Sequence, residues 1–257
     1  MRLSANLGFL WPELPLCDRI AAAGRAGFRA VELHWPYDTP ATEVLRAAED
    51  AQLEILALNS PRGDVAAGDL GLACLPGREA EFRDSIALAF DYARTIRAGA
   101  VHVMAGKPGA VPDLAWHPTL ISNLRHAADA AGDLTLLLEA LNRTDNPGYV
   151  YATPDLADVI RSAVDRPNVR LMLDAYHAAM EGQDPAAAWH RHRSVIGHVQ
   201  IAGFPGRAEP HPDLPPLSGL FAALAADGYG GWVGCEYRPA AGTDAGLGWR
   251  ARLAVAR

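Results

Sequence analysis

The strongest constraint on the fold is an alternation of short apolar segments with longer segments of helical periodicity along nearly the whole chain. Runs rich in Val, Ile and Leu predict buried strands, and apolar residues spaced three or four apart predict helices. Strands that alternate with helices pair in parallel, because each helix returns the chain across the face of the sheet. Eight strands are predicted, at residues 2–6, 30–33, 54–58, 100–104, 134–139, 169–174, 196–200 and 231–236.

Seven helices are predicted between these strands, and a less regular eighth follows them at 245–255. Three of the helices are expected to begin at a proline that follows a capping residue, in Thr39-Pro40, Thr153-Pro154 and Asp184-Pro185, because proline lacks only an amide that is unpaired at a helix start. The seven helices are expected at 16–26, 40–51, 78–97, 118–131, 154–164, 185–193 and 217–227.

Eight strand-helix units in 257 residues predict a closed (β/α)8 barrel, a TIM barrel, that occupies residues 1–257 as one domain. The alternative is an open, doubly wound sheet that binds a dinucleotide. Such a sheet carries the glycine-rich GxGxxG turn after its first strand, and Asn6-Leu7-Gly8-Phe9 does not contain it. The barrel is therefore favoured.

The connections that follow strands are long, whereas most of those that follow helices have only two to five residues. Long segments occur at 59–77, 105–117, 140–153 and 201–216. In a TIM barrel these segments gather at the carboxyl ends of the strands, where barrel enzymes have their active sites.

A polar residue with an oxygen ligand closes each of the last four predicted strands: Glu139, Asp174, Gln200 and Glu236. In a closed barrel these strand ends lie side by side on one rim. Three carboxylates in one place repel one another unless a cation lies between them. Because all four ligands are oxygens, the pattern favours Mg2+ or Mn2+ over zinc. The alternative that each residue only caps a helix or is solvated at the rim stays open.

Several motifs resemble the hydroxypyruvate isomerase family, which belongs to the xylose isomerase-like barrels. They are Phe82-Arg83-Asp84, Gly197-His198-Val199-Gln200-Ile201-Ala202, Pro205-Gly206-Arg207-Ala208-Glu209-Pro210 and Gly230-Gly231-Trp232-Val233-Gly234-Cys235-Glu236-Tyr237. The resemblance runs from about Ser4 to Leu247. It implies a divalent metal ion held by the residues at 139, 174, 200 and 236, with Glu139 and Glu236 as catalytic acid and base.

Two departures from the family pattern leave the exact substrate open. The segment His211-Pro212-Asp213-Leu214-Pro215-Pro216 replaces a glycine-rich stretch, and Ala202-Gly203-Phe204 lacks the usual acidic or asparagine residue. Related sugar 3-epimerases usually carry histidine at the position of Gln200, so this glutamine favours the hydroxypyruvate branch.

The implied reaction moves a carbonyl group between adjacent carbons through an enediolate, with hydroxypyruvate and tartronate semialdehyde, or 2-oxotetronate and its isomer, as the substrate pair. An acid substrate needs a cation, and Arg207 and Lys107 follow the seventh and fourth predicted strands. His177 lies three residues after Asp174 and is expected to donate a hydrogen bond to a substrate oxygen. A solvated surface position is the alternative for each of these three residues.

Composition argues against two other classes of protein. Asp and Glu total 30 against 23 Lys and Arg, so the formal net charge of −7 opposes binding to nucleic acid. No apolar run reaches the roughly 18 residues that span a bilayer. Three scattered cysteines fit a reducing compartment and a cytoplasmic location. A homo-oligomer is compatible with the sequence.

Four other functions remain as alternatives. A ketose 3-epimerase would use the same chemistry on a neutral sugar, and a dehydratase would share the first enolisation step. An abasic-site endonuclease of the same barrel type would use three zinc ions and several rim histidines, which the predicted third and seventh strand ends do not supply. A barrel that only binds a sugar acid is the fourth.

Overall fold

The computed structural model describes residues 1–109 and 115–255, without the side chains of residues 254 and 255. Eight strands, each parallel to the next, form a closed barrel in sequence order, and β8 pairs with β1 to close it. This architecture confirms the predicted (β/α)8 barrel. The strands are β1 Arg2–Asn6, β2 Ala30–Leu33, β3 Glu54–Asn59, β4 Ala100–His102, β5 Thr135–Glu139, β6 Val169–Asp174, β7 Ile196–Ile201 and β8 Trp232–Cys235.

Helices occupy the connections between the strands, as predicted. They are α1 Leu16–Arg25, α2 Ala41–Asp50, α3 Glu79–Thr95, α4 Trp116–Ala130, α5 Pro154–Val164, α6 Ala175–Met180, α7 Pro185–His192, α8 Leu217–Ala226, α9 Thr243–Gly246 and α10 Arg250–Val255. Short 3-10 turns lie at Val65–Ala67 and Leu247–Trp249.

Two of the three predicted proline starts are confirmed. The side chains of Thr153 and Asp184 accept hydrogen bonds from the backbone amides of Leu156 and Ala186, and α5 and α7 begin at the prolines that follow them. The third was wrong, because Pro40 has an extended ψ of 129° and is itself the residue before α2.

The predicted eighth helix is broken into α9, a 3-10 turn and α10; Gly246 ends α9 and Gly248 lies within the 3-10 turn, and glycine weakens a regular helix at both positions. The sequence patterns also missed α6, a helix of six residues that follows β6 without a connection. Asp174 ends β6 and caps α6, since its side chain accepts a hydrogen bond from the Tyr176 amide. A helix this short has no room for a recognisable apolar period.

The core lies inside the barrel and between its wall and the helices. The strands read as near-continuous apolar runs because parallel strands are covered on both faces. All four residues of β2 are buried, including the charged Glu32, which is 3% exposed. None of the helices in the described residues is long and apolar enough to cross a membrane.

Candidate active site

Two carboxylates and an imidazole meet at the carboxyl ends of β5 and β6. Glu139 and Asp174 are the last residues of these strands, and His177 is in the first turn of the short helix α6. One potential ligand atom from each of the three lies within 4.8 Å of the other two, and all three residues are buried. This cluster has the composition of a metal site.

Arg207 joins this cluster to Glu236. Its Nη2 atom lies 3.1 Å from Asp174 Oδ2 and 3.3 Å from Glu236 Oε2, and the arginine side chain is only 9% exposed. The rings of Phe9 and Tyr176 flank the guanidinium, with centroids at 4.7 and 5.0 Å from Cζ. The acidic residues that end β6 and follow β8 are therefore held by one buried cation.

The side-chain amide of Gln200 is hydrogen-bonded to Glu32 of β2. Gln200 Nε2 donates a hydrogen bond to Glu32 Oε2 at 2.7 Å, and the two side chains are buried inside the barrel. Gln200 Oε1 is also buried and has no hydrogen-bond partner among the described residues. The oxygen of this amide is thus free to bind a further group.

His177 is held in a defined tautomer by Asn142. Its Nδ1 atom accepts a hydrogen bond from the Asn142 backbone amide at 3.0 Å and lies 2.6 Å from the Asn142 side-chain amide nitrogen. Because Nδ1 accepts, the ring proton is on Nε2, which lies 3.6 Å from Asp174 Oδ2 and 3.7 Å from Glu139 Oε1. Burial lowers the pKa of His177 well below its ordinary value, so the ring is neutral. His177 is therefore set to donate a hydrogen bond into the site rather than to bind a metal ion through Nε2.

Two further histidines contact the glutamates. His102, the last residue of β4, has Nδ1 3.4 Å from Glu139 Oε2, and burial lowers its pKa to about 3. His34 follows β2 and has Nε2 3.0 Å from Glu236 Oε1. The sequence patterns missed both. His102 closes its strand in the same way as Glu139 and Asp174, but the predicted β4 extended to residue 104 and hid this signal.

The carboxylates differ in the direction of their pKa shifts. Burial, with the nearby Glu236 and Asp174, raises the pKa of Glu139 well above its ordinary value. Burial also raises the pKa of Asp174, to about 7, although Arg207 opposes the rise. Burial acts on Glu236 in the same direction, but Arg207 and His34 outweigh it and leave its pKa below the ordinary value. One arginine thus cannot stabilise three ionised carboxylates equally.

A cavity of about 340 Å³ opens above this cluster at the carboxyl face of the barrel. Glu139, His177, Arg207 and Glu236 line it, and Arg62 and Arg238 contribute two more cations. The Arg62 guanidinium stacks on the Trp35 ring at 3.7 Å. Lys107, predicted to bind substrate, is half-buried after β4 and is not among the lining residues.

The comparisons with known proteins agree with this geometry. The family model described as xylose isomerase-like TIM barrel matches residues 20–253. The 2-oxo-tetronate isomerase of Cupriavidus necator is 45% identical over 96% of each chain, and the hydroxypyruvate isomerase of Escherichia coli is 38% identical over 97% of this chain and 98% of that one.

The chain belongs to the hydroxypyruvate isomerase family of xylose isomerase-like barrels. The resemblance stated from the sequence motifs is thereby confirmed. A crystal structure from Brucella melitensis, named as an AP endonuclease of family 2, superposes with a TM-score of 0.93 and 38% identity, covering 98% of both chains.

The oxygen atoms at the site of this family member fit a divalent cation. Glu139 Oε1 and Gln200 Oε1 are buried without a hydrogen-bond partner among the described residues, a state that costs free energy unless another group binds them. Glu236 Oε2 has no hydrogen bond within the geometric limits either, although Arg207 Nη2 lies 3.3 Å away. The carboxyl groups of Glu139, Asp174 and Glu236 face one guanidinium, so full ionisation leaves two negative charges uncompensated. Oxygen ligands with a net charge of −2 are the environment that a divalent cation of the Mg2+ or Mn2+ type prefers.

Of the site residues predicted from the sequence, the barrel brings six together: Glu139, Asp174, His177, Gln200, Arg207 and Glu236. Gln200 is the register partner of Asp174 and Gly234 on the neighbouring strands, which places it between the ends of β6 and β8. Glu236 directly follows β8, and its backbone amide donates to Ile201 O at 3.0 Å. Of these six, Glu139, His177, Arg207 and Glu236 line the cavity, and Asp174 and Gln200 do not; Lys107 neither lines the cavity nor contacts the cluster among the described residues.

Proposed function

We propose that this enzyme interconverts a 2-oxo-3-hydroxy acid and its 2-hydroxy-3-oxo isomer. The substrate pair is hydroxypyruvate and tartronate semialdehyde, or 2-oxotetronate and its 3-oxo isomer. The supporting observation is the set of three buried carboxyl groups, of Glu139, Asp174 and Glu236, with one unpartnered amide oxygen among the described residues, beside a cavity of small-molecule size. The names of the relatives in Cupriavidus necator and Escherichia coli support the acid substrate.

In the reaction, one proton leaves the carbon that carries the hydroxyl group and another reaches the neighbouring carbonyl carbon, while the proton of the hydroxyl group passes to the oxygen of the former carbonyl. Glu139 and Glu236 line the same cavity from β5 and from the end of β8, so one accepts the first proton and the other supplies the second. A carboxyl group in such a role contributes roughly 10² to 10⁴ in rate. Which glutamate acts first depends on the direction of the reaction.

A divalent ion, Mg2+ or Mn2+, would be held by Glu139, Asp174, Gln200 and Glu236. When bound, it supplies Lewis-acid stabilisation of the negative charge that develops on the two substrate oxygens. His177 Nε2–H faces the same region and donates a hydrogen bond to one of these oxygens. Its neutral state keeps it from adding a positive charge beside the metal site.

The carboxylate of the substrate is expected to bind to Arg207. Arg207 lines the cavity beside the glutamates, and a charged hydrogen bond of this kind contributes about 1.5 to 3 kcal/mol. Arg62 and Arg238 line the same cavity and are better placed than Lys107 to assist it.

The test is a turnover assay with hydroxypyruvate, 2-oxotetronate and a neutral ketose, each with EDTA, Mg2+ or Mn2+. We expect conversion of one of the acids in the presence of metal and little conversion of the ketose. Conversion of the ketose alone would replace the proposed activity with that of a 3-epimerase, and inactivity toward every acid with either metal would contradict it.

The Brucella melitensis structure, through its name, favours one further candidate activity, cleavage of DNA at abasic sites. The four proposed ligands here are oxygens, whereas a site with three zinc ions uses several histidines as ligands. The Nδ1 atom of His177 accepts a hydrogen bond from the Asn142 amide, and the Nδ1 atom of His102 contacts Glu139 and Asn59, so neither Nδ1 is free to bind zinc. A duplex with one abasic site, added to the same assay with Zn2+, is expected to stay intact.

A further inference from the structure

A second charged pair lies inside the barrel, one layer below the acidic cluster. Glu32 of β2 is contacted by the side chains of Ser4, Gln200 and His198, and its Oε1 atom is 3.0 Å from His198 Nε2. Glu32 is not among the residues that line the cavity, so it does not touch a substrate bound there. It can act on the site only through the residues that it contacts.

The contact with Glu32 determines which way the Gln200 amide points. An ionised carboxylate only accepts hydrogen bonds, so the NH2 group of the amide must face Glu32. The geometry agrees with this acceptor role: Ser4 Oγ donates a hydrogen bond to Glu32 Oε1, His198 Nε2 lies 3.0 Å from the same oxygen, and Gln200 Nε2 donates to Oε2 at 2.7 Å. Gln200 Oε1 then faces away from Glu32 and is buried without a hydrogen-bond partner among the described residues, and Asp174 is the register neighbour of Gln200 on β6.

The barrel leaves space for this carboxylate at Gly234. Gly234 is the register partner of Gln200 on β7 and of Ser4 on β1. A Cβ atom at Gly234 would lie 2.3 Å from Glu32 Oε1, which is closer than any real contact of this kind. A glycine in the middle of β8 weakens a strand, and here it admits the Glu32 side chain into the layer of Gln200.

We propose that Glu32 is a positioning residue that locks the Gln200 amide with Oε1 toward the acidic cluster, so that Gln200 binds the metal ion through oxygen. This inference rests on the ligand set of the proposed function and adds a residue to it. His198 and Ser4 hold Glu32 in place. Without the carboxylate, the amide can turn its NH2 group toward the cation, and that orientation provides no ligand.

The test measures Mn2+ affinity without substrate, by isothermal titration calorimetry, for Glu32→Gln in two backgrounds. A glutamine at 32 has nearly the same shape but can either accept from or donate to Gln200, so it no longer selects one orientation. Loss of an orienting partner typically weakens metal binding about 10- to 100-fold, and this is the result expected in the wild-type background. In the Gln200→Ala background, Glu32→Gln should leave the Mn2+ affinity nearly unchanged.

Ser4→Ala is the matched control, because it removes a different hydrogen bond to the same carboxylate and does not touch Gln200. It should retain most of the Mn2+ affinity. Glu32→Asp serves if Glu32→Gln does not fold, since it keeps the negative charge for His198 but draws the oxygens away from Gln200; it should weaken Mn2+ binding in the same way.

Wild-type affinity in Glu32→Gln, or an equal loss of affinity in both backgrounds, would overturn the inference. A wild-type protein that binds no Mn2+ would overturn both the inference and the proposed function. Mn2+ binding without isomerisation of any acid would overturn the proposed function alone, and the comparison of the two backgrounds would still decide the role of Glu32.

Discussion

Replacing Arg207 with methionine removes the buried cation that contacts two of the three carboxyl groups. Methionine keeps much of the apolar bulk between Phe9 and Tyr176 but neither ion pair. Nη2 contacts Asp174 at 3.1 Å and Glu236 at 3.3 Å, and the side chains of all three residues are less than 10% exposed. Breaking a buried pair by removal of one partner costs about 3 to 5 kcal/mol, because the remaining charge is left without compensation.

The expected loss can be measured by thermal unfolding in EDTA. A loss of 1 kcal/mol lowers Tm by about 2 to 4 °C in a chain of this size, so Arg207→Met should lower Tm by roughly 6 to 20 °C. Excess Mn2+ should recover more stability in the variant than in the wild type, since a ligand at 100 times its Kd contributes about 2.7 kcal/mol and here also replaces the missing positive charge.

Arg238→Met is the matched control. Arg238 lines the same cavity but is exposed and forms no ion pair among the described residues. Its Tm should stay close to that of the wild type. Equal unfolding temperatures for the two variants would refute the electrostatic role of Arg207, as would Mn2+ that stabilises Arg207→Met no more than the wild type.

Three further predictions follow from the site and the fold. Glu139→Gln and Glu236→Gln should each lower kcat by about 10² to 10⁴ while the circular dichroism spectrum stays unchanged; near-wild-type turnover in either would exclude its proton-transfer role. Burial raises the pKa of Asp174 to about 7 against the effect of Arg207, so the folded protein holds a proton that the unfolded chain has released above about pH 4. The contribution of Asp174 to metal-free stability should therefore fall as the pH rises from about 5 to 7. His102, His177 and Glu139 titrate in both proteins, so the comparison is between wild type and Asp174→Asn: thermal unfolding in EDTA should show the stability of the wild type relative to the variant decreasing over this range, and a constant difference would contradict the reasoning. Thr153→Ala should cost about 0.5 to 2 kcal/mol in urea unfolding through the lost cap of α5, with Mn2+ affinity unchanged.

The barrel and the positions of its acidic residues could be predicted because both are properties of single segments. Each strand is an apolar run, and Glu139 and Asp174 end such runs visibly. Closure in sequence order then brings these ends together without further information. The length of β4 was overestimated because Val103 and Met104 continue the apolar run after His102, where the strand ends.

The contacts between residues of distant strands could not be predicted from the sequence. Glu32 and Gln200 are 168 positions apart, and their hydrogen bond depends on the register of β7 against β8 and on the space at Gly234. The sequence likewise predicted Arg207 as a ligand for substrate, but its contacts with Asp174 and Glu236 require the loop after β7 to fold back over the rim. Lys107 was predicted from its place after β4 alone, which does not determine the direction of a side chain in a long loop.

The central claim is that two glutamates exchange protons with a 2-oxo acid, and solvent isotope incorporation tests it most directly. Isomerisation of hydroxypyruvate or 2-oxotetronate in D2O with Mg2+, followed by proton NMR against an enzyme-free blank, should place one deuterium on the carbon that receives the proton. Exchange should be lost with EDTA and in Glu139→Gln and Glu236→Gln. Isomerisation without deuterium in the product would show that the same hydrogen passes between the two carbons, directly or on one base that does not exchange with solvent, and would contradict the assignment of separate proton-accepting and proton-supplying glutamates.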